Sequence, residues 1–163
     1  MAVDFITLSE LVDESISIIK ADDAINDYIR DEFYGELKIY DSVDVLNMPS
    51  IDDCPMIIFN KISHAMGEAQ QSWIYTISAE FAIENEKISE STDGTVVTQD
   101  GVGNAEKLGY LIYDALRLGM PCNGNLDRVD MQLDTDSHPM YSGGLLMQFT
   151  ILQPIGGTPV LGI

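Results

Sequence analysis

The sequence predicts an α+β fold: a mostly antiparallel β-sheet flanked by N-terminal helices and one central helix, in a single domain. Three observations carry that expectation. Residues 72–83, "SWIYTISAEFAI", and 144–154, "GLLMQFTILQP", alternate with the period of two that marks a strand. Residues 9–33 and 104–119 instead repeat apolar side chains every three to four positions, the period of a helix. The later strands are joined by turns, so they run back antiparallel and leave the helices to cover one side of the sheet. A chain of 163 residues is one domain by size and buries a core without disulfide staples.

The elements follow in order. In "SELVDESISIIKADDAINDYIRDEF", Leu11, Val12, Ile16, Ile19, Ile25, Tyr28 and Ile29 fall at helical spacing. Ser9 is the expected N-cap, with acids in the first turn. "ADDA", residues 21–24, splits the segment into two helices, with Asp22 or Asp23 capping the second, and Tyr34-Gly35 ends it. Leu37 and Ile39, extending toward Val43, suggest a short strand. Asn47 to Pro55 reads as a loop. "MIIFNKI" is β-branched and aromatic and reads as a strand, and "SHAMGEAQQ" as a turn or loop after it.

The long strand at Ser72 comes next. It places Trp73, Tyr75, Ile77, Ala79, Phe81 and Ile83 on one face, and Ser72, Thr76, Ser78, Glu80 and Glu84 on the other, with Ile74 the exception. Residues 85–103 read as a long loop, functional or mobile, that Asp93-Gly94 could fold into a hairpin. The central helix is capped by Asn104, buries Leu108, Leu111, Ile112, Ala115 and Leu116, and stops at Gly119 and Pro121. Two strands close the chain. The first alternates Val129, Met131 and Leu133 with Asp130, Gln132 and Asp134. The second, after the turn "SHPMYSGG", alternates Leu145, Met147, Phe149 and Ile151 with Leu146, Gln148, Thr150 and Leu152. Residues 153–163, "QPIGGTPVLGI", are apolar but rich in glycine and proline, and read as an extended arm or a loose end.

Charge excludes whole classes of function. Eight basic residues face 27 acidic ones, a net charge of −19. Tight nucleic-acid binding needs Lys and Arg to displace counterions from phosphates, and anionic membranes repel such a chain. The surplus serves solubility, or keeps DNA from sticking to a protein that meets it. Hydrophobic residues at 45% exclude a disordered acidic tail. Two cysteines make no disulfide framework and suit a reducing cytoplasm. The N-terminus lacks the basic and apolar regions of a signal peptide, and no apolar run approaches a membrane span.

Motifs for chemistry are sparse, and no enzymatic activity or cofactor is expected. G-x-S-x-G, H-E-x-x-H, the P-loop and G-x-G-x-x-G do not occur. "GVGNAEKLG" reads as a glycine-rich helix start, since Glu106 would oppose a phosphate. Cys54, His64, Cys122 and His138 lack zinc-ligand spacing. Asp130 and Asp134 lie about 13 Å apart along a strand, too far to share a calcium ion. Asp134 and Asp136 remain a loop-borne alternative. Glu80 and Glu84 read as a solvated or interfacial face rather than a catalytic pair. Trp73, Tyr75 and Phe81 read as core.

The order of elements brings one family to mind. A helix, an Ala-Asp-Asp break, then "INDYIRDEFYGELKIYDSVDVLNMPSIDDCPMIIF", then the helix "NAEKLGYLIYDAL" and a closing β pair resemble the tail-terminator, or tail-completion, proteins of long-tailed bacteriophages. The resemblance spans most of residues 8–152 and rests on a pattern of elements with a few residue matches. Residues 85–103 are longer than a minimal member needs, and the segment after Gln153 matches no motif of the family. The resemblance implies a structural virion protein at the head–tail junction, made in the cytoplasm of the bacterial host. Its copies would form a ring, usually a hexamer, that caps the tail tube, ends its polymerisation and joins it to the head-side neck, with DNA passing through without tight binding. The implied partners are other copies of the chain, the tail tube protein and a neck or head-completion protein, with no membrane. Within that frame Asp130, Gln132 and Asp134 are the candidate acidic lumen face. Thr76, Ser78, Glu80, Leu146, Gln148, Thr150, Ile155, Val160 and Leu161 are the candidate subunit or partner interface. The alternatives are another phage neck or tail-tube protein, or a soluble acidic host binding module.

Overall fold

The computed structural model describes residues 5–65 and 72–152. Helix α1, Leu8–Ala21, and helix α2, Asp23–Phe33, lead into strands β1, Lys38–Asp41, β2, Met56–Ala65, and β3, Ser72–Glu84. A small hairpin follows, β4, Ile88–Glu90, with β5, Val97–Gln99. Helix α3, Asp100–Gly119, then precedes β6, Asn125–Asp134, and β7, Met140–Leu152. The main sheet has five strands in the order β1-β2-β3-β7-β6. Its neighbours are antiparallel except β1 and β2, which are parallel. The expected α+β class and mostly antiparallel sheet are what the chain adopts.

One face of the sheet makes the core. Tyr75, Ile77, Ala79, Phe81 and Ile83 of β3 lie beside Phe149, Met147, Leu145, Gly143 and Tyr141 of β7, and the apolar residues among these are buried. Trp73 is half-buried at the end of this row and stacks on Phe5 and His64. The helices cover the face with Leu11, Val12 and Ile19, with Ile25 and Ile29, and with Ala105, Leu108, Ile112 and Leu116. Each large side chain buried this way contributes about 1.5–3 kcal/mol. Small residues let α3 come close: Gly101 lies against the Tyr141 ring, where an added Cβ would be 2.1 Å from ring carbons. Gly101 and Gly109 of "GVGNAEKLG" thus serve packing, while a Cβ on Gly103 would meet nothing within 4 Å.

Several boundaries differ from the sequence expectation, each for a local reason. Helix α1 starts earlier than Ser9: Thr7 is its N-cap, and Thr7 and Glu10 exchange the two bonds of a capping box. Asp22 both ends α1 and caps α2, accepting from the Ile25 N–H at 2.9 Å. Tyr34, rather than Gly35, takes the left-handed position after α2, at φ 52°. Strand β1 stops at Asp41, so Val43 is outside it, and β2 continues through His64 to Ala65 where a turn or loop was expected. Helix α3 begins at Asp100, a full turn before Asn104, which is therefore interior and not a cap. Strand β7 begins at Met140, so "YSGG" is strand. Residues 85–103, expected as a long loop, hold the β4–β5 hairpin and the first turn of α3. Asp93 and Gly94 lie in its turn as expected, with Gly94 at φ 70°, though six residues separate the strands. The arm expected at 153–163 lies outside the described residues.

Two neighbouring glycines separate the faces of β7. A Cβ on Gly143 would meet the Phe81 ring at 2.6 Å and the Gln132 carbonyl at 2.9 Å, whereas one on Gly144 would meet only Glu80 Cγ at 3.9 Å. Gly143→Val is expected to destabilise the fold by about 1–3 kcal/mol in urea denaturation while Gly144→Ala leaves it within about 0.5 kcal/mol. Tyr34 is 91% exposed and strained, so Tyr34→Gly is expected to raise stability by up to about 1 kcal/mol. An unchanged denaturation midpoint in Tyr34→Gly would count against strain at this cap.

Candidate functional site

Among the described residues, none of the three α-helices packs on the second face of the sheet. Its rows are read across strands from the register. Asp134, Ser142, Ala82, Met56 and Lys38 form one. Gln132, Gly144, Glu80, Ile58 and Tyr40 form the next. Asp130, Leu146, Ser78 and Asn60 form the third, and Arg128, Gln148 and Thr76 the fourth. Thr150 lies beyond, between Asn125 and Ile74. So the three candidate lumen residues and all six described candidate interface residues share one surface. In the sequence they belong to separate candidate surfaces, a lumen face and an interface, and strand order unites them. Ile155, Val160 and Leu161 lie outside the described residues.

A groove of about 940 Å³ runs over this face. Met56, Ile58 and Ala82 are buried in its floor, packed with Tyr40, Val43, Cys54 and Met140. Leu146 stands 42% exposed in it. Met48 and Pro49, from the segment between β1 and β2, form one wall, and Asp130, Gln132 and Asp134 of β6 line the other. Gly144 leaves the middle open, since nothing but Glu80 Cγ approaches its Cβ position. Sequence reasoning missed Met48, Met56, Ile58 and Gly144 as parts of a site. The available signal was the unbroken apolar run Met56–Phe59, because a strand without alternation has something to cover on both sides.

The acids of this face are partly engaged. Arg128 Nε reaches Asp130 at 3.0 Å, with both side chains largely exposed. The Asp134 carboxylate accepts from the Ser137 hydroxyl at 2.6 Å and from the Asp136 N–H at 3.1 Å, bonds that lower its pKa and shape the β6–β7 turn. Asn60 Nδ2 donates to Glu80 at 3.3 Å. The face is therefore polar and acidic at its rim, but less densely repulsive than a count of carboxylates suggests.

Neither cysteine thiol is activated. Burial, with Glu84 close by, pushes the Cys54 thiol up to about 11, and burial beside Glu14 pushes Cys122 up to about 12. Both stay protonated at neutral pH, and a thiol in that state is a poor nucleophile. Among the described residues no three His, Cys, Asp or Glu side chains gather to hold a metal ion. Trp73, Tyr75 and Phe81 belong to the core face, with the Tyr75 hydroxyl donating to the Ile6 carbonyl at 2.6 Å. Among the described residues no helix is long and apolar enough to cross a membrane.

Acid sensitivity follows from exposed, hydrogen-bonded carboxylates. Asp93 is held at about 2 by the Ser91 and Thr95 hydroxyls and the Thr95 N–H, and Asp53 at about 2 by the Lys38 ammonium and the Ser50 N–H. A depressed folded-state pKa contributes stability that is full above the unfolded value, near 4, and is lost as pH falls through about 2. The melting temperatures of the wild type and Asp93→Asn should differ at pH 6 and converge between about pH 4 and 2. A gap that persists at pH 2 would show that Asp93 acts otherwise. No family model matches the chain, and no curated protein sequence matches it.

Proposed function

We propose that this chain is a structural virion protein of a long-tailed phage, a tail terminator. Its copies close into a ring that caps the tail tube, ends its growth and joins it to the neck. The order of elements and the residues of the "NMPSIDDCPMIIF" segment support this reading through the resemblance given above. The observation that carries it is apolar surface left bare on a strongly acidic chain. Val45 and Leu46, at the tip of the segment between β1 and β2, are 84% and 90% exposed. On a separate element, the β4–β5 hairpin, Ile88, Val96 and Val97 are more than half exposed. Isolated exposed apolar residues need no explanation, but groups of adjacent ones mark contact surfaces. Two different patches are what a head-to-tail contact requires, and rotation closes such contacts into a ring. The charge of −19 per copy keeps rings apart from one another and from DNA, and salt screens that repulsion beyond about 8 Å at physiological ionic strength.

Light scattering or native mass spectrometry across concentration tests the reading. A closed ring of about six copies is expected. The double substitution Val45→Asp, Leu46→Asp is expected to yield a folded monomer, because neither side chain contributes to the core. A long open polymer would make the chain a tube protein instead. A monomer that also fails to cap isolated tail tubes would end the reading.

A further inference from the structure

We propose that the groove on the open face, between Met48 and β6, docks a segment of a different chain in which apolar side chains alternate with lysine or arginine. It rests on the preceding reading only for the identity of that chain, a tail-tube or neck subunit. Three features of the groove define the occupant. The floor holds aliphatic side chains, Met56, Ile58, Ala82 and Leu146, around the gap at Gly144, with the Glu80 carboxylate between Gly144 and Ile58, so it takes aliphatic side chains beside a cationic one. At about 940 Å³ it lies at the upper end of the roughly 300–1,000 Å³ of small-molecule sites, and it is open to solvent, which suits a length of chain. The β6 rim is acidic, with Asp130 and Asp134, and Arg128 beside Asp130 there makes only an exposed pair of little strength. Both central strands, β3 and β7, are paired on each side, so recognition runs through side chains and not by adding a strand.

Charge decides between a second copy and a foreign chain. Of the eight basic residues, Arg30, Lys38, Lys61, Lys87, Arg117 and Arg128 are each tied to a carboxylate of their own chain. Lys107 lies over the Tyr28 ring, which leaves Lys20 alone without a partnered role among the described residues. Another copy brings a charge of −19 and almost no spare cation to an acidic rim. A segment rich in lysine or arginine removes that penalty and satisfies both floor and rim.

The test uses the full chain and a fluorescein-labelled twelve-residue peptide of alternating leucine and lysine, followed by anisotropy, with a leucine–glutamate peptide as control. Saturable binding of the lysine peptide alone is expected, weakened by salt. Gly144→Leu fills the groove without changing charge and should weaken binding about tenfold or more. Leu146→Glu is a second variant: it adds an acid, so plain electrostatic attraction would tighten, whereas docking in the groove weakens. Melting curves confirm that both variants fold. Unchanged affinity in Gly144→Leu, or tighter binding in Leu146→Glu, overturns the inference. So does loss of self-association in Gly144→Leu, since a second copy would then be the occupant. An intact ring that ignores the peptide defeats the groove and spares the ring. A monomer that never caps a tube yet binds the peptide in the groove does the reverse.

Discussion

The pairing of β3 with β7 is the constraint on which the rest of the structure depends. Both strands are thirteen residues long and pair along their whole length, Ser72 with Leu152 through Glu84 with Met140. The period of two then sorts every residue of both strands onto one of two faces. The core face receives Tyr75, Ile77, Phe81, Leu145, Met147 and Phe149, all buried, and the three helices described here collect over it. A slip of one residue would exchange the faces and put those side chains under water. The large apolar side chains therefore specify the register as well as the stability.

What remains on the other face is set by the same pairing. Glycine at 144 and small side chains at Ser78, Ala82 and Ser142 leave a depression that the segment from Val43 to Cys54 covers only at the β1–β2 end. The exposed β6 edge is interrupted by a register shift near Asp127, whose carboxylate accepts from the Thr150 hydroxyl. Charged Arg128, Asp130 and Asp134 follow along the same strand. Such features blunt an edge against indiscriminate pairing. The groove and the edge thus differ in kind: one offers apolar floor, the other offers backbone guarded by charge.

Electrostatics link the fold to the assembly reading. The few cations stitch elements together, Lys38 to Asp53, Lys61 to Asp41 and Lys87 to Asp100, and the surplus acids face solvent. Exposed pairs of this kind contribute little to stability. Their larger consequence is that little positive charge is left for partners. In the assembly proposed above, contacts between copies would fall to neutral apolar surface, and acidic surface would be left for cationic partners.

The sequence by itself determined the fold class, the two-face pattern of the long strands, the helical segments and the Asp22 break between the first two. Those features come from local periodicity and local hydrogen bonding, which a chain carries wherever it goes. It also marked Asp130, Gln132 and Asp134 as one face of a strand, and Ser78, Glu80 and Leu146 as faces of others. Only the tertiary structure decided that these are one surface, because β7 lies between β3 and β6 and periodicity within a strand says nothing about which strand sits beside it. Cap positions moved for a related reason. Thr7 outcompeted Ser9 because Glu10 completes a capping box with it. Asn104 became interior because Gly101 could slide under the Tyr141 ring, a contact between residues forty positions apart that no local pattern encodes.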